Sequence, residues 1–221
     1  MKLLINALTK FTCGLLLVGL LIFLPAGTLQ FTYGWLFIGL LFVPMLIAGF
    51  VMYFLAPDLL VKRLDVKEKQ ATQKGVVALS GLMFVAGFVV AGLDCRFGWS
   101  KMPVAVTVGA SVLFLIAYAL YAEVMRENAY LSRTVKVEQG QTVVDTGLYG
   151  IVRHPMYGTT ILLFLMIPVV LGSWYALIPF AFYPAIIIVR LKDEEILLTR
   201  ELPGYAEYKQ KVKYRVIPVV W

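Results

Sequence analysis

Five uncharged, strongly apolar stretches, residues 11–24, 31–55, 75–93, 103–122 and 156–189, constrain this chain more than any other feature. A helix that crosses a bilayer needs about 20 apolar residues to cover a hydrocarbon core of ~30 Å. Charged residues gather in the segments between these stretches. With 221 residues that are 61% hydrophobic and a mean hydropathy of +0.85, the chain carries more apolar surface than one soluble core could hide. The last stretch is too long for a single crossing, because its 34 residues would reach roughly 50 Å as one helix. Gly172 and Ser173 near its middle predict a turn, so it reads as a hairpin of two short helices bent by Pro168, Pro179 and Pro184. The expected fold is all-α: a polytopic membrane protein with about six transmembrane helices, the last two a short helical hairpin, followed by a cytoplasmic helical tail.

The basic residues give an orientation. Lys2 and Lys10 precede the first span; Lys62, Arg63, Lys67, Lys69 and Lys74 follow the second; Arg126, Arg133, Lys136 and Arg153 follow the fourth; seven more run from Arg190 to Arg215. Only Arg96 and Lys101 fall on the other side, so eighteen of twenty share one face, and the inside-positive bias places both termini in the cytoplasm. Lys2 and Lys10 ahead of a 14-residue apolar run also suit a secretory signal peptide. No small-x-small pattern follows Leu24, so the segment is expected to stay as a span that extends back toward Ile5, with Lys10 snorkelling. A net charge of +7 fits an anionic leaflet better than nucleic acid, since no basic stripe with interleaved aromatics stands on a soluble fold. Cys13 and Cys95 read as two free thiols, and no metal is expected.

The middle of every span lacks Asp, Glu, Lys, Arg and His, which argues against a proton-coupled transporter or an ion channel. Polar chemistry collects at the cytoplasmic face, in two clusters. The first, residues 146–158, contains Gly147, Tyr149, Gly150, Arg153, the sole histidine His154, Pro155 and Tyr157. Pro155 suits the first turn of a helix, where its missing N–H goes unneeded. The unbonded N–H groups of that turn, with Arg153 and His154, would suit a carboxylate or another anion. A plainer reading makes Arg153 part of the inside-positive bias, Tyr157 part of an interfacial aromatic belt and His154 a satisfied cap. The second cluster is Arg190-Leu191-Lys192-Asp193-Glu194-Glu195, followed by Leu202-Pro203-Gly204-Tyr205-Ala206-Glu207-Tyr208. On one helix Arg190 and Glu194 share a face and could form a simple ion pair, while Glu195 points about 100° further round. The clusters lie at the two ends of the hairpin, which would bring them together beside lipid, a setting for a polar cofactor and a lipophilic substrate.

Gly147-x-Tyr149-x-x-x-Arg153-His154-Pro155-x-Tyr157, then Arg190-x-x-x-Glu194-Glu195 and Glu207-Tyr208-Lys209, in that order, resembles the isoprenylcysteine carboxyl methyltransferase family and its phospholipid N-methyltransferase relatives. The resemblance runs from about residue 141 to 214 and implies S-adenosylmethionine as methyl donor, bound without a Rossmann fold. No glycine-rich strand-to-helix fingerprint is present. By motif position, the resemblance implies that Gln141, Thr142, Val143, Val144, Tyr149, His154, Pro155, Met156, Tyr157 and Glu194 line the cofactor site and that Arg190 faces the substrate. Gln141 stands where some members carry histidine, and Lys136 lies in a loop whose length differs from theirs. Residues 1–125 would then shape lipid-substrate access, and residues 126–221 would form the cofactor loop, hairpin and tail of one integrated domain. The implied function is methyl transfer to a lipophilic acceptor, with a prenylcysteine-like carboxylate favoured over an amine or thiol. A sterol-type, nicotinamide-dependent membrane reductase and a non-catalytic transport or assembly protein are the alternatives.

Overall fold

Charged residues at helix ends and apolar ones between them give four long helices: α1 (Lys2–Ala26), α2 (Thr32–Leu55), α4 (Ala71–Phe97) and α5 (Val104–Glu127). Each is long and apolar enough to cross a membrane. The computed structural model describes residues 2–65, 71–132 and 134–221, and no strand occurs among them. Lys67, Lys69 and Arg133 of the basic set lie outside the described residues. Large apolar side chains such as Leu16, Leu20, Leu24, Phe54 and Leu55 point outward, as expected of helices whose solvent is lipid.

A short helix, α3 (Pro57–Leu64), was not anticipated from the sequence. Pro57 occupies its first turn, and Lys62 and Arg63 complement its C-terminal dipole. Beyond α5 a long loop leads to a 3-10 turn (Gly147–Gly150) and then to α6 (Pro155–Val170). The expected turn at Gly172 is present: its φ is +73°, and a Cβ there would lie 2.7 Å from the Tyr33 ring. Only glycine meets both conditions. The second arm of the hairpin is interrupted, with α7 (Leu177–Phe180) containing Pro179 and α8 (Tyr183–Glu201) carrying Pro184 in its first turn. Pro184 therefore starts a helix instead of bending one. After the Leu202-Pro203-Gly204 break, α9 (Tyr205–Lys211) completes the helical set.

An aromatic centre joins the elements. Phe37 of α2 packs on Phe88 of α4 and Phe114 of α5 at ring distances of 5.6 and 6.1 Å, and Phe88 meets Phe180 of α7 at 6.1 Å. Hydrogen bonds at both ends of α4 fix the hairpin's depth. At one end Asp94 accepts from the Ser100 and Ser173 hydroxyls at 2.6 and 2.5 Å; at the other, Gln73 donates to Asp193 at 2.6 Å. The 21 helical steps from Gln73 to Asp94 measure about 30 Å at ~1.5 Å each. The hairpin thus covers the same thickness as α4.

Candidate active site

The turn that opens the site is built on Gly147. Its φ is +51°, and a Cβ there would sit 1.5 Å from Glu127 Oε1, so glycine alone lets the Glu127 carboxylate accept from the Leu148 N–H at 3.0 Å. Tyr149 is thereby turned inward. The Asn128 amide donates to its hydroxyl at 3.0 Å, and the Tyr208 hydroxyl donates to its carbonyl at 2.7 Å.

Next along the chain, Arg153 and His154 are 7% and 6% exposed. Arg153 Nε donates to Glu195 Oε1 at 2.7 Å, and its Nη1 donates to the Val212 and Lys213 carbonyls at 2.8 and 3.0 Å. The backbone N–H groups of Arg153 and His154 donate to the Tyr214 and Arg215 carbonyls. This corrects the anion-site reading of the segment, because the Arg153 guanidinium already holds the C-terminal tail and the Tyr157 and Gly158 N–H groups of the first turn of α6 donate to the His154 carbonyl. His154 Nε2 lies 3.3 Å from both Glu195 Oε1 and the Tyr205 hydroxyl, and its ring stacks on Tyr157 at 5.7 Å.

Glu195, 5% exposed, is the hub of this cluster and also accepts from Arg215 Nε at 3.0 Å. Burial by itself would raise its carboxyl, but the hydrogen bonds and charges of His154 and Arg153 outweigh that and hold it at about 2. Burial pushes the hydroxyls of Tyr149, Tyr205 and Tyr208 up, so all three stay protonated.

Arg190 and Glu194 do share a face of α8, and Tyr157 stands between them. Arg190 Nε donates to the Tyr157 hydroxyl at 3.0 Å, and that hydroxyl donates to Glu194 Oε2. These groups wall a cavity enclosing about 90 Å³. Gln141, Thr142, Val143, Val144, Tyr149, His154, Met156, Tyr157, Glu194 and Arg190 all line it, as does Lys136. Pro155 does not; it is buried in the first turn of α6, behind the wall. The sequence reading missed Asn128, Leu131, Leu198 and Leu202 and left Tyr205 and Tyr208 out of the site, although all six line it. The Leu202-Pro203-Gly204 break was the available signal, since it folds α9 back over the opening.

The chemistry of the lining fits S-adenosylmethionine. Rings of Tyr149, Tyr205 and His154 and the side chains of Val143 and Leu131 suit a nucleobase; Glu194 and the amide and hydroxyl groups of Asn128, Ser132 and Thr134 suit its amino and hydroxyl groups. Residues 108–200 match the model of the isoprenylcysteine carboxyl methyltransferase family, a segment that takes in His154, Tyr157, Arg190, Glu194 and Glu195. No curated protein matches the chain. Neither the reductase nor the non-catalytic alternative gains support. Over residues 108–200 the chain is therefore similar to the isoprenylcysteine carboxyl methyltransferase family, whose members use S-adenosylmethionine as methyl donor, and its long apolar helices are those of a multi-pass integral membrane protein.

Proposed function

We propose that this protein methylates the carboxylate of a lipophilic, prenylcysteine-like acceptor at the cytoplasmic face of a membrane that it crosses six times, with both termini in the cytoplasm. The single observation that carries the reading is the convergence of Arg190, Tyr157, Glu194 and His154 with loop residues 141–144 on one cavity. The matched depths of α4 and the hairpin support six crossings. The one-sided basic residues support the orientation.

When bound, S-adenosylmethionine supplies a sulfonium methyl whose leaving group is already good. The protein therefore has to align reactants and exclude water more than to activate either. Glu194 binds cofactor amino or hydroxyl groups through the carboxylate that Tyr157 orients. Arg190 holds the acceptor carboxylate through its guanidinium edge. A thiol or amine acceptor would need a base. The protonated tyrosines offer none, and His154 is engaged by Glu195 and Tyr205. This favours a carboxylate, which needs no deprotonation at neutral pH.

As closed, the cavity is smaller than the ~300–1,000 Å³ usual for ligands of this size. Binding therefore displaces the loop between α5 and the 3-10 turn. That loop is tied down by Lys62 on Glu138 at 2.7 Å and by an exposed Lys211–Asp145 pair at 2.6 Å, links that reform over a bound ligand.

The test is calorimetric titration of the detergent-purified protein with S-adenosylmethionine, with NADPH as control, joined to transfer of labelled methyl to N-acetyl-S-farnesylcysteine. Arg190→Ala abolishes transfer and spares cofactor binding; Glu194→Ala weakens binding itself. Normal cofactor affinity in the Glu194 variant would overturn this division of roles, and binding of NADPH alone would overturn the function.

A further inference from the structure

Gln73 lies near the start of α4, wholly buried, and packs against α8. Its Nε2 donates to Asp193 Oδ2 at 2.6 Å and more loosely to the Arg190 carbonyl at 3.4 Å. Its Oε1 is the one buried side-chain polar atom without a hydrogen-bond partner among the described residues. Turning the amide over would set that oxygen against the Asp193 carboxylate, so the nitrogen must face Asp193 and the oxygen must be the orphan.

An orphaned acceptor at a helix interface costs stability. An interface serving packing alone would do better with a leucine of similar size. What Gln73 gains in return is a grip on the turn of α8 that holds both Arg190 and Glu194. We propose that Gln73 is a positioning residue for methyl transfer: reaching from α4, it fixes the rotation of this turn of α8 and hence the aim of Arg190. The inference rests on the role given to Arg190 above. Asp193 is the handle through which Gln73 acts, and neither residue lines the cavity.

The deciding variant is Gln73→Leu, which removes the grip and the orphan together. Melting temperature in detergent should stay level or rise, and the Kd for S-adenosylmethionine should stay within twofold. At the same time kcat/KM for N-acetyl-S-farnesylcysteine should fall at least tenfold. The double variant Gln73→Glu/Asp193→Asn reverses the hydrogen bond at constant charge and should recover most of that loss, whereas Gln73→Glu alone should not. Unchanged kcat/KM in Gln73→Leu overturns the proposal. So does a fall in kcat/KM that merely follows a fall in melting temperature in both variants. Wild-type protein that binds the cofactor yet methylates no prenylcysteine removes the acceptor reading, and this inference with it; wild-type protein that binds no cofactor refutes the function before either.

Discussion

Replacing Glu195 with glutamine should loosen the tail from the active site without unseating the membrane helices. Glu195 is the shared acceptor of Arg153, Arg215 and His154. Its substitution leaves the buried Arg153 guanidinium with an amide that cannot neutralise it. Removing one partner of a buried ion pair costs about 3–5 kcal/mol. The same contacts lower the carboxyl from 4.5 to about 2, which corresponds to about 3 kcal/mol at ~1.4 kcal/mol per pH unit. Because the folded-state value is depressed, this contribution is complete above about pH 4.5 and is lost as the pH falls toward 2. The amides of Arg153 and His154 report on it directly, since both donate to tail carbonyls. Hydrogen exchange at these two positions should accelerate by roughly two orders of magnitude in Glu195→Gln at pH 7, with α1, α2 and α4 unaffected. In the wild type the same protection should fade between pH 4.5 and 2 and be absent from the variant's profile. Unchanged protection at Arg153 and His154 in Glu195→Gln would refute the claim that Glu195 holds this junction.

Tyr157→Phe removes the hydroxyl between Arg190 and Glu194; a hydrogen bond to a charged group contributes about 1.5–3 kcal/mol, so kcat/KM should drop roughly ten- to a hundredfold in steady-state assays. Gly147→Ala meets both a positive φ and the Glu127 carboxylate. It should cost about 1–2 kcal/mol for the backbone alone, more once Glu127 is displaced, and titration should show weaker cofactor binding. At the opposite end of the bundle, Asp94→Asn strips charge from the acceptor of Ser100 and Ser173. It should lower the melting temperature and leave the S-adenosylmethionine Kd unchanged, separating the hairpin's anchorage from its chemistry.

The membrane helices were legible because lipid imposes a simple rule on sequence: long uncharged runs with charges at their ends. The hairpin was legible because 34 residues exceed one crossing and Gly172 marked the reversal. Arg190, Tyr157 and Glu194 could be brought together from hairpin ends alone, and the loop residues 141–144 came from the family resemblance. Other features depended on contacts between segments far apart in sequence. Helix periodicity showed only that Glu195 points away from Arg190, and nothing in its neighbours announces that Arg153, His154 and Arg215 close on it. Gln73 stands in a polar stretch that reads as an ordinary loop edge, so its burial emerges only when α4 meets α8. Arg153 looked available to a ligand because the tail that occupies it lies 59 and 60 residues away.

That long reach sets a schedule for biogenesis. Synthesis proceeds from the N-terminus, so the long helices α1, α2, α4 and α5 can enter the bilayer while the carbonyls of residues 212–215 have yet to leave the ribosome. Until they do, Arg153 and His154 lack the partners that fix them, and the nascent chain is a finished bundle with an unfinished pocket. Premature termination beyond α8 would then yield a membrane-inserted protein with no competence for its donor. A bulky fusion placed directly after Arg215 would threaten catalysis more than insertion.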